Sequence, residues 1–207
     1  MKPLPRLYPI ADASFGDPVQ IASVLFKAGI RFLQVRNKKG SSREFLQQVE
    51  QIIAAAPPDA RVLVNDRVDI ALIAGAHGVH LGQTDLMPRD ARRILGDDRI
   101  VGFSTHNLEQ ALAADRLPVD YVAVGPIFST ATKENPDPVV GVATLAVICK
   151  AIRKPVVAIG GIELTNAIDV LNAGAASVAV IRGLIQVPDV EQQAIRWLDA
   201  LKAREGD

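Results

Sequence analysis

The stretch RVLVNDRVDIALIAGAHGVHL, residues 61–81, decides the fold. Arg61–Val64 is a short valine-rich run without polar alternation, as a strand covered on both faces requires. Asn65, Asp66 and Arg67 break it with polar groups. Val68–Ala74 then carries apolar residues at helical spacing, and Gly75 stands where a helix must stop. Gly78–Leu81 reads as a second strand. Two strands joined through a helix run parallel with a right-handed crossover.

The same alternation extends in both directions. The other predicted strands are Arg6–Ile10, Arg31–Val35, Ile100–Gly102, Tyr121–Val124, Val156–Ile159 and Ser177–Val180. Predicted helices cover Pro18–Lys27, Ser42–Ala55, Pro88–Leu95, Leu108–Ala114, Val142–Ala151, Leu164–Asn172 and Val190–Lys202. Ser41 or Ser42 caps the second helix, whose Phe45, Val49, Ile52 and Ile53 keep one face. Asn107 and Thr165 precede or open further helices, and Gly29 and Gly174 stand at helix ends. Eight units in 207 residues average about 26 residues each, short but sufficient for a closed barrel. A doubly wound sheet would carry a glycine-rich first turn, and neither GxGxxG nor GxxxxGK occurs. The reading is α/β, a single (β/α)8 TIM barrel spanning 1–207.

Composition narrows the function. Apolar residues are 49% and charged residues 22%, with 23 basic and 23 acidic side chains. A chain of zero net charge has no global field to hold nucleic acid or an anionic membrane. The single cysteine, Cys149, excludes an intramolecular disulfide and a cysteine-rich zinc site. No secretory leader and no long apolar run is visible, so the expected location is cytoplasmic.

Barrel chemistry gathers at the C-terminal strand ends. Gln34, Arg36 and Lys38 alternate as they leave the second strand and suit an anion. Asp66 and Asp85 leave the third and fourth strands, one β/α unit apart. Two such carboxylates repel unless a proton or cation lies between them, and hard oxygen donors favour Mg²⁺ that also takes substrate phosphate. His77, His80 and His106 read as structural. Beyond the sixth strand a long polar loop carries Thr130, Thr132 and Lys133, suited to capturing phosphate by closure. Gly160 and Gly161 end the seventh strand, where barrels cup phosphate on backbone N–H groups, and Arg182 follows the eighth. Together these positions imply two anion sites, one of them assisted by Mg²⁺, and suit the departure of pyrophosphate.

Taken in order, the fragments resemble the thiamine-phosphate synthase family from Leu7-Tyr8 to about Ile185. The carriers are Gln34-x-Arg36-x-Lys38, Asn65-Asp66, His80-Leu81-Gly82-Gln83-x-Asp85, Gly102-x-Ser104, Gly125-Pro126-Ile127-Phe128 with Thr130-x-Thr132-Lys133, and Ile159-Gly160-Gly161-Ile162. The resemblance implies a TIM-barrel transferase. It would join 4-amino-5-hydroxymethyl-2-methylpyrimidine diphosphate to 4-methyl-5-(2-phosphooxyethyl)thiazole, releasing thiamine phosphate and pyrophosphate by a dissociative, Mg²⁺-assisted route. It implies that Gln34 contacts the pyrimidine, with Ser104 near it or the diphosphate. Arg36, Lys38, Asn65 and Lys133 would hold the diphosphate, and Asp66 and Asp85 the Mg²⁺. Thr130, Thr132, Gly160 and Gly161 would receive the thiazole phosphate. Catalysis would rest on Arg36, Lys38, Lys133 and Ser104, through positioning and charge rather than proton transfer.

The chain departs from the family pattern at Ala11, where many members have Thr, at Asn37, commonly Glu, and at Arg182, often Ser. The alternatives are a thiazole tautomerase-like barrel, whose relatives carry His at the position of Pro126, or a catalytically silent thiamine-precursor binding or regulatory protein. The expected partners are small-molecule substrates. Neither nucleic acid nor membrane is expected, and the homo-oligomer is left open.

Overall fold

The computed structural model describes residues 3–130 and 137–202. Eight strands pair in parallel in chain order: β1 (Leu7–Asp12), β2 (Phe32–Arg36), β3 (Arg61–Asn65), β4 (Gly78–Leu81), β5 (Ile100–Thr105), β6 (Tyr121–Val124), β7 (Val156–Ile159) and β8 (Ser177–Val180). β8 returns to β1 through Leu7 opposite Val178, and the barrel is closed. Around it, among the described residues, run α1 (Pro18–Lys27), α2 (Ser42–Ala55), α3 (Val68–Ile73), α4 (Pro88–Leu95), α5 (Leu108–Ala114), α6 (Gly141–Ala151), α7 (Ala167–Asn172), α8 (Arg182–Ile185) and α9 (Val190–Lys202). None of these helices is long and apolar enough to cross a membrane.

Alternation along each strand sorts the side chains into two cores. Leu33, Val35, Val62, Val64, Val122 and Val124 face outward under the helices. Tyr8, Ile10, Phe32, Leu63, Ile100, Tyr121, Ala123, Val157 and Ala179 fill the barrel interior. Both layers exclude water, so the strands read as continuous apolar runs rather than alternating ones. Each fully buried leucine, such as Leu33 or Leu63, contributes about 1.5–3 kcal/mol. Gly102 has a packing reason: a Cβ there would stand 2.0 Å from Tyr121 Cζ, so its absence makes room for that ring.

The predicted elements are all present, with shifted edges. β5 continues three residues past Gly102, which brings Ser104 into the barrel wall. α7 starts at Ala167 rather than Leu164, because the Asn166 side chain is committed to the preceding loop. Its Oδ1 accepts from Glu163 N and its Nδ2 donates to Gly161 O. Ser41 is the α2 cap and forms a reciprocal box with Glu44. The 3-10 turn Ala13–Phe15 and the one-turn α8 were not anticipated, being too short to show a period.

Candidate active site

The exits of β1 to β4 bring acids and bases together. Gln34 and Arg36 share the inward face of β2 with Phe32, as their alternation requires. Arg36 Nη1 donates to Asp12 Oδ2 at the end of β1. The Asp12 side chain is fully buried, and its Oδ1 also accepts from Ser14 N at 2.9 Å. Arg36 is therefore held from behind by a carboxylate absent from the predicted site. Lys38 lies two residues beyond β2, half exposed, with Nζ 2.6 Å from Asp66 Oδ2. At that exposure the pair contributes little stability, and its Nζ can exchange partners readily.

Asp66 adopts a left-handed backbone with φ of 62°. The turn is closed by Arg67 N donating to Asn65 O at 2.7 Å, and Asp66 N donates to His80 O at 2.8 Å. Such strain in a non-glycine residue costs on the order of 1–3 kcal/mol and gathers at functional sites. Asp85 Oδ2 accepts from Gly82 N at 2.7 Å. Burial pushes the Asp85 carboxyl upward, and the neighbouring Asp66 adds to that shift while the Gly82 N–H and Lys38 oppose it. The two acids thus interact directly. Asn65, nearly buried, lies beside them opposite His80.

Below them a hydrogen-bond chain crosses the barrel interior. Gln34 Nε2 donates to Tyr8 Oη at 2.9 Å, and the Tyr8 and Tyr121 hydroxyls are 3.0 Å apart. The Tyr121 hydroxyl lies 2.8 Å from His80 Nδ1, and His80 Nε2 lies 2.8 Å from Ser104 Oγ. Gln83 Nε2 reaches Ser104 O and ties the two loops together. His77, by contrast, faces away, its Nδ1 accepting from Val62 N.

His80 carries a pH dependence. Burial, with Lys38 adding to it and Asp85 opposing it, lowers its pKa from 6.5 to about 4. The unfolded chain binds a proton between those values while the folded one does not. The His80 contribution to stability is therefore complete above about pH 6.5 and is lost as the pH drops toward 4, on the order of 3 kcal/mol. Asp85, with its raised pKa, contributes with the opposite sign. Urea midpoints measured across that window should fall more steeply with decreasing pH in the wild type than in His80→Gln.

On the opposite side, Gly160 and Gly161 have φ of 98° and 65°. A Cβ on the first would stand 2.6 Å from Pro126 Cβ, and on the second 2.6 Å from Ser129 O. Ile127 N and Phe128 N donate to Ile159 O and Gly160 O. Close backbone approach between the β6 and β7 exits thus accounts for both glycines. Thr130 is half-buried at the edge of the described residues, whereas Thr132 and Lys133 lie outside them. His106 Nδ1 is 2.6 Å from Gly125 O, and its Nε2 is 3.5 Å from Asp137 Oδ2. Arg182 is exposed, and its Nε donates to Gln186 Oε1 at 2.9 Å along its own helix.

A polar cavity of about 540 Å³ flanks the β1 and β2 exits. It is lined by Ser14, Asn37, Lys38 and Gln48 among others, so it meets the acid–base cluster only at Lys38. Tyr8, Asp12, His80 and Tyr121 organise the cluster but were not predicted as site residues. The available signal was a polar or phenolic side chain at an inward position of an otherwise apolar strand.

A closed parallel barrel with charged groups converging at its C-terminal rim defines an enzyme of the TIM-barrel class. The thiamine monophosphate synthase family model matches residues 7–184. The thiamine-phosphate synthase of Koribacter versatilis is 48% identical over 205 residues, covering 96% of each chain. That of Anaeromyxobacter dehalogenans is 46% identical over 187 residues, covering 90% of this chain and 84% of its own. A solved structure, the thiamine phosphate pyrophosphorylase from Pyrococcus furiosus, superposes with a TM-score of 0.87 at 32% identity, covering 95% of both chains. The chain belongs to the thiamine monophosphate synthase family, whose named relatives are transferases.

Proposed function

We propose that this protein joins the pyrimidine diphosphate to the thiazole phosphate, forming thiamine phosphate and pyrophosphate. The observation that carries the reading is the convergence of Asp66, Asp85 and Lys38 at neighbouring strand exits. Among the described residues no cluster of three or more His, Cys, Asp or Glu side chains could hold a metal. Two hard carboxylates suit Mg²⁺, which keeps waters and takes its remaining oxygens from a substrate phosphate. The donor chemistry supports the fit: burial and the adjacent Asp66 push the Asp85 carboxyl up, the Gly82 N–H and Lys38 oppose that shift, and a divalent cation shared by the two acids would favour both as anions. Bound there, the ion would neutralise charge developing on the diphosphate.

The chain's own residues supply the rest. Arg36, backed by Asp12, presents a guanidinium whose position is fixed before substrate arrives. Lys38 turns from Asp66 toward phosphate oxygens, and Lys133 adds charge from the β6 loop. Asn65 donates to the diphosphate, and Gln34 and Ser104 hold the pyrimidine. The C–O bond to the diphosphate breaks with its electron pair leaving on oxygen. The aminopyrimidine carries the resulting methylene cation until the thiazole nitrogen attacks it. Thr130, Thr132 and the backbone at Gly160 and Gly161 orient the thiazole phosphate, so catalysis consists of positioning and charge stabilisation. Both substrates are charged phosphorylated small molecules, which accords with a cytoplasmic setting.

The test is purified protein with both precursors and Mg²⁺, following thiamine phosphate and pyrophosphate together. Equal amounts of the two products are expected. Folded protein that yields neither would overturn the reading.

A further inference from the structure

We propose that Tyr121 is a positioning residue that fixes the tautomer of His80 and so leaves the Ser104 hydroxyl proton free to be donated into the site. The kinetic consequence rests on the substrate reading above, whereas the tautomer does not.

The argument follows the protons. Gln34 Nε2 has only N–H to give, so the Tyr8 oxygen accepts from it at 2.9 Å. Burial pushes the pKa values of Tyr8 and Tyr121 upward, so each phenol keeps its one proton. The Tyr8 proton is directed to the Tyr121 oxygen at 3.0 Å. The Tyr121 proton must then go to His80 Nδ1 at 2.8 Å. An imidazole that accepts at Nδ1 carries its hydrogen on Nε2, which donates to Ser104 Oγ at 2.8 Å. Ser104 receives a hydrogen bond from behind and offers its own proton forward, to a ring nitrogen or phosphate oxygen. The opposite direction would place the His80 hydrogen on Nδ1 and spend the Ser104 proton on Nε2.

Tyr121 is the link that packing holds most firmly. It is fully buried, its ring stacks on His80 with centroids 5.6 Å apart and planes 14° apart, and Gly102 yields it space. Tyr8 meets it edge-on at 6.0 Å. Removing the Tyr121 hydroxyl severs the chain while leaving both rings in place.

The tautomer is readable directly. The chain has 3 histidines, so ¹⁵N-histidine labelling gives a small spectrum in which His80 is assigned by its loss in His80→Gln. The expected wild-type state, without substrate, is hydrogen on Nε2. Tyr121→Phe should shift the population toward hydrogen on Nδ1 and lower kcat/KM for the pyrimidine diphosphate about tenfold, the loss of roughly one hydrogen bond. Ser104→Ala should lose a similar factor, and the double variant should lose no more than Ser104→Ala alone, a non-additivity that a merely structural role would not give. Hydrogen on Nδ1 in the wild type, an unmoved tautomer in Tyr121→Phe, or additive losses would each overturn the proposal. Should Tyr121→Phe fail to fold, the wild-type spectrum still decides the direction of the chain. Wild-type protein without turnover would overturn the substrate reading instead, independently of the spectrum.

Discussion

Asp85→Ala is expected to lower turnover by about 10²–10³-fold, the scale on which a fixed electrostatic group acts in a transition state. The barrel should remain folded, because the substitution removes a carboxyl that burial and Asp66 already disfavour as an anion. The lost contact with Gly82 N is a local one within the β4 exit loop. Mg²⁺ should raise the Tm of the wild type by mass action and leave that of the variant nearly unchanged. Turnover at the wild-type rate in the variant, or equal Tm shifts in both proteins, would remove Asp85 from the metal site.

Arg36→Ala should have the largest effect on stability. Its guanidinium is the salt-bridge partner of a carboxylate with no solvent exposure, and Ser14 N supplies that carboxylate's other contact. Removing one member of a buried pair leaves the other uncompensated and costs about 3–5 kcal/mol. Activity should fall as well, since the same guanidinium is assigned to the diphosphate. The double variant Asp12→Ala/Arg36→Met should recover much of the stability and none of the activity, separating the two roles. Urea unfolding with a wild-type midpoint for Arg36→Ala would contradict this account of the pair.

The barrel was legible because its signal is repetitive. Eight short apolar runs, separated by amphipathic stretches with caps such as Ser41 and Asn107, leave few topologies open. Gln34, Arg36 and Lys38 were legible through alternation and charge, and Asp66 and Asp85 through their spacing by one unit. The interior network was not. Tyr8 and Tyr121 look like ordinary core aromatics, and only closure of the barrel shows that their hydroxyls meet between Gln34 and His80. Asp12 was hidden for a related reason. Its partner Arg36 lies 24 residues away, and their pairing depends on β1 lying beside β2 in register, with Asp12 opposite Arg36. Conversely, Gly160 and Gly161 suggested a phosphate cup, while their geometry is already accounted for by packing against Pro126 and Ser129.

The most direct measurement is a crystal structure of the protein soaked with Mg²⁺ and pyrophosphate. The account predicts one ion ligated by both Asp66 and Asp85 and by pyrophosphate oxygens, with Lys38 turned from Asp66 onto the anion and Arg36 against it. Pyrophosphate bound elsewhere, or an ion that ignores either carboxylate, would contradict it.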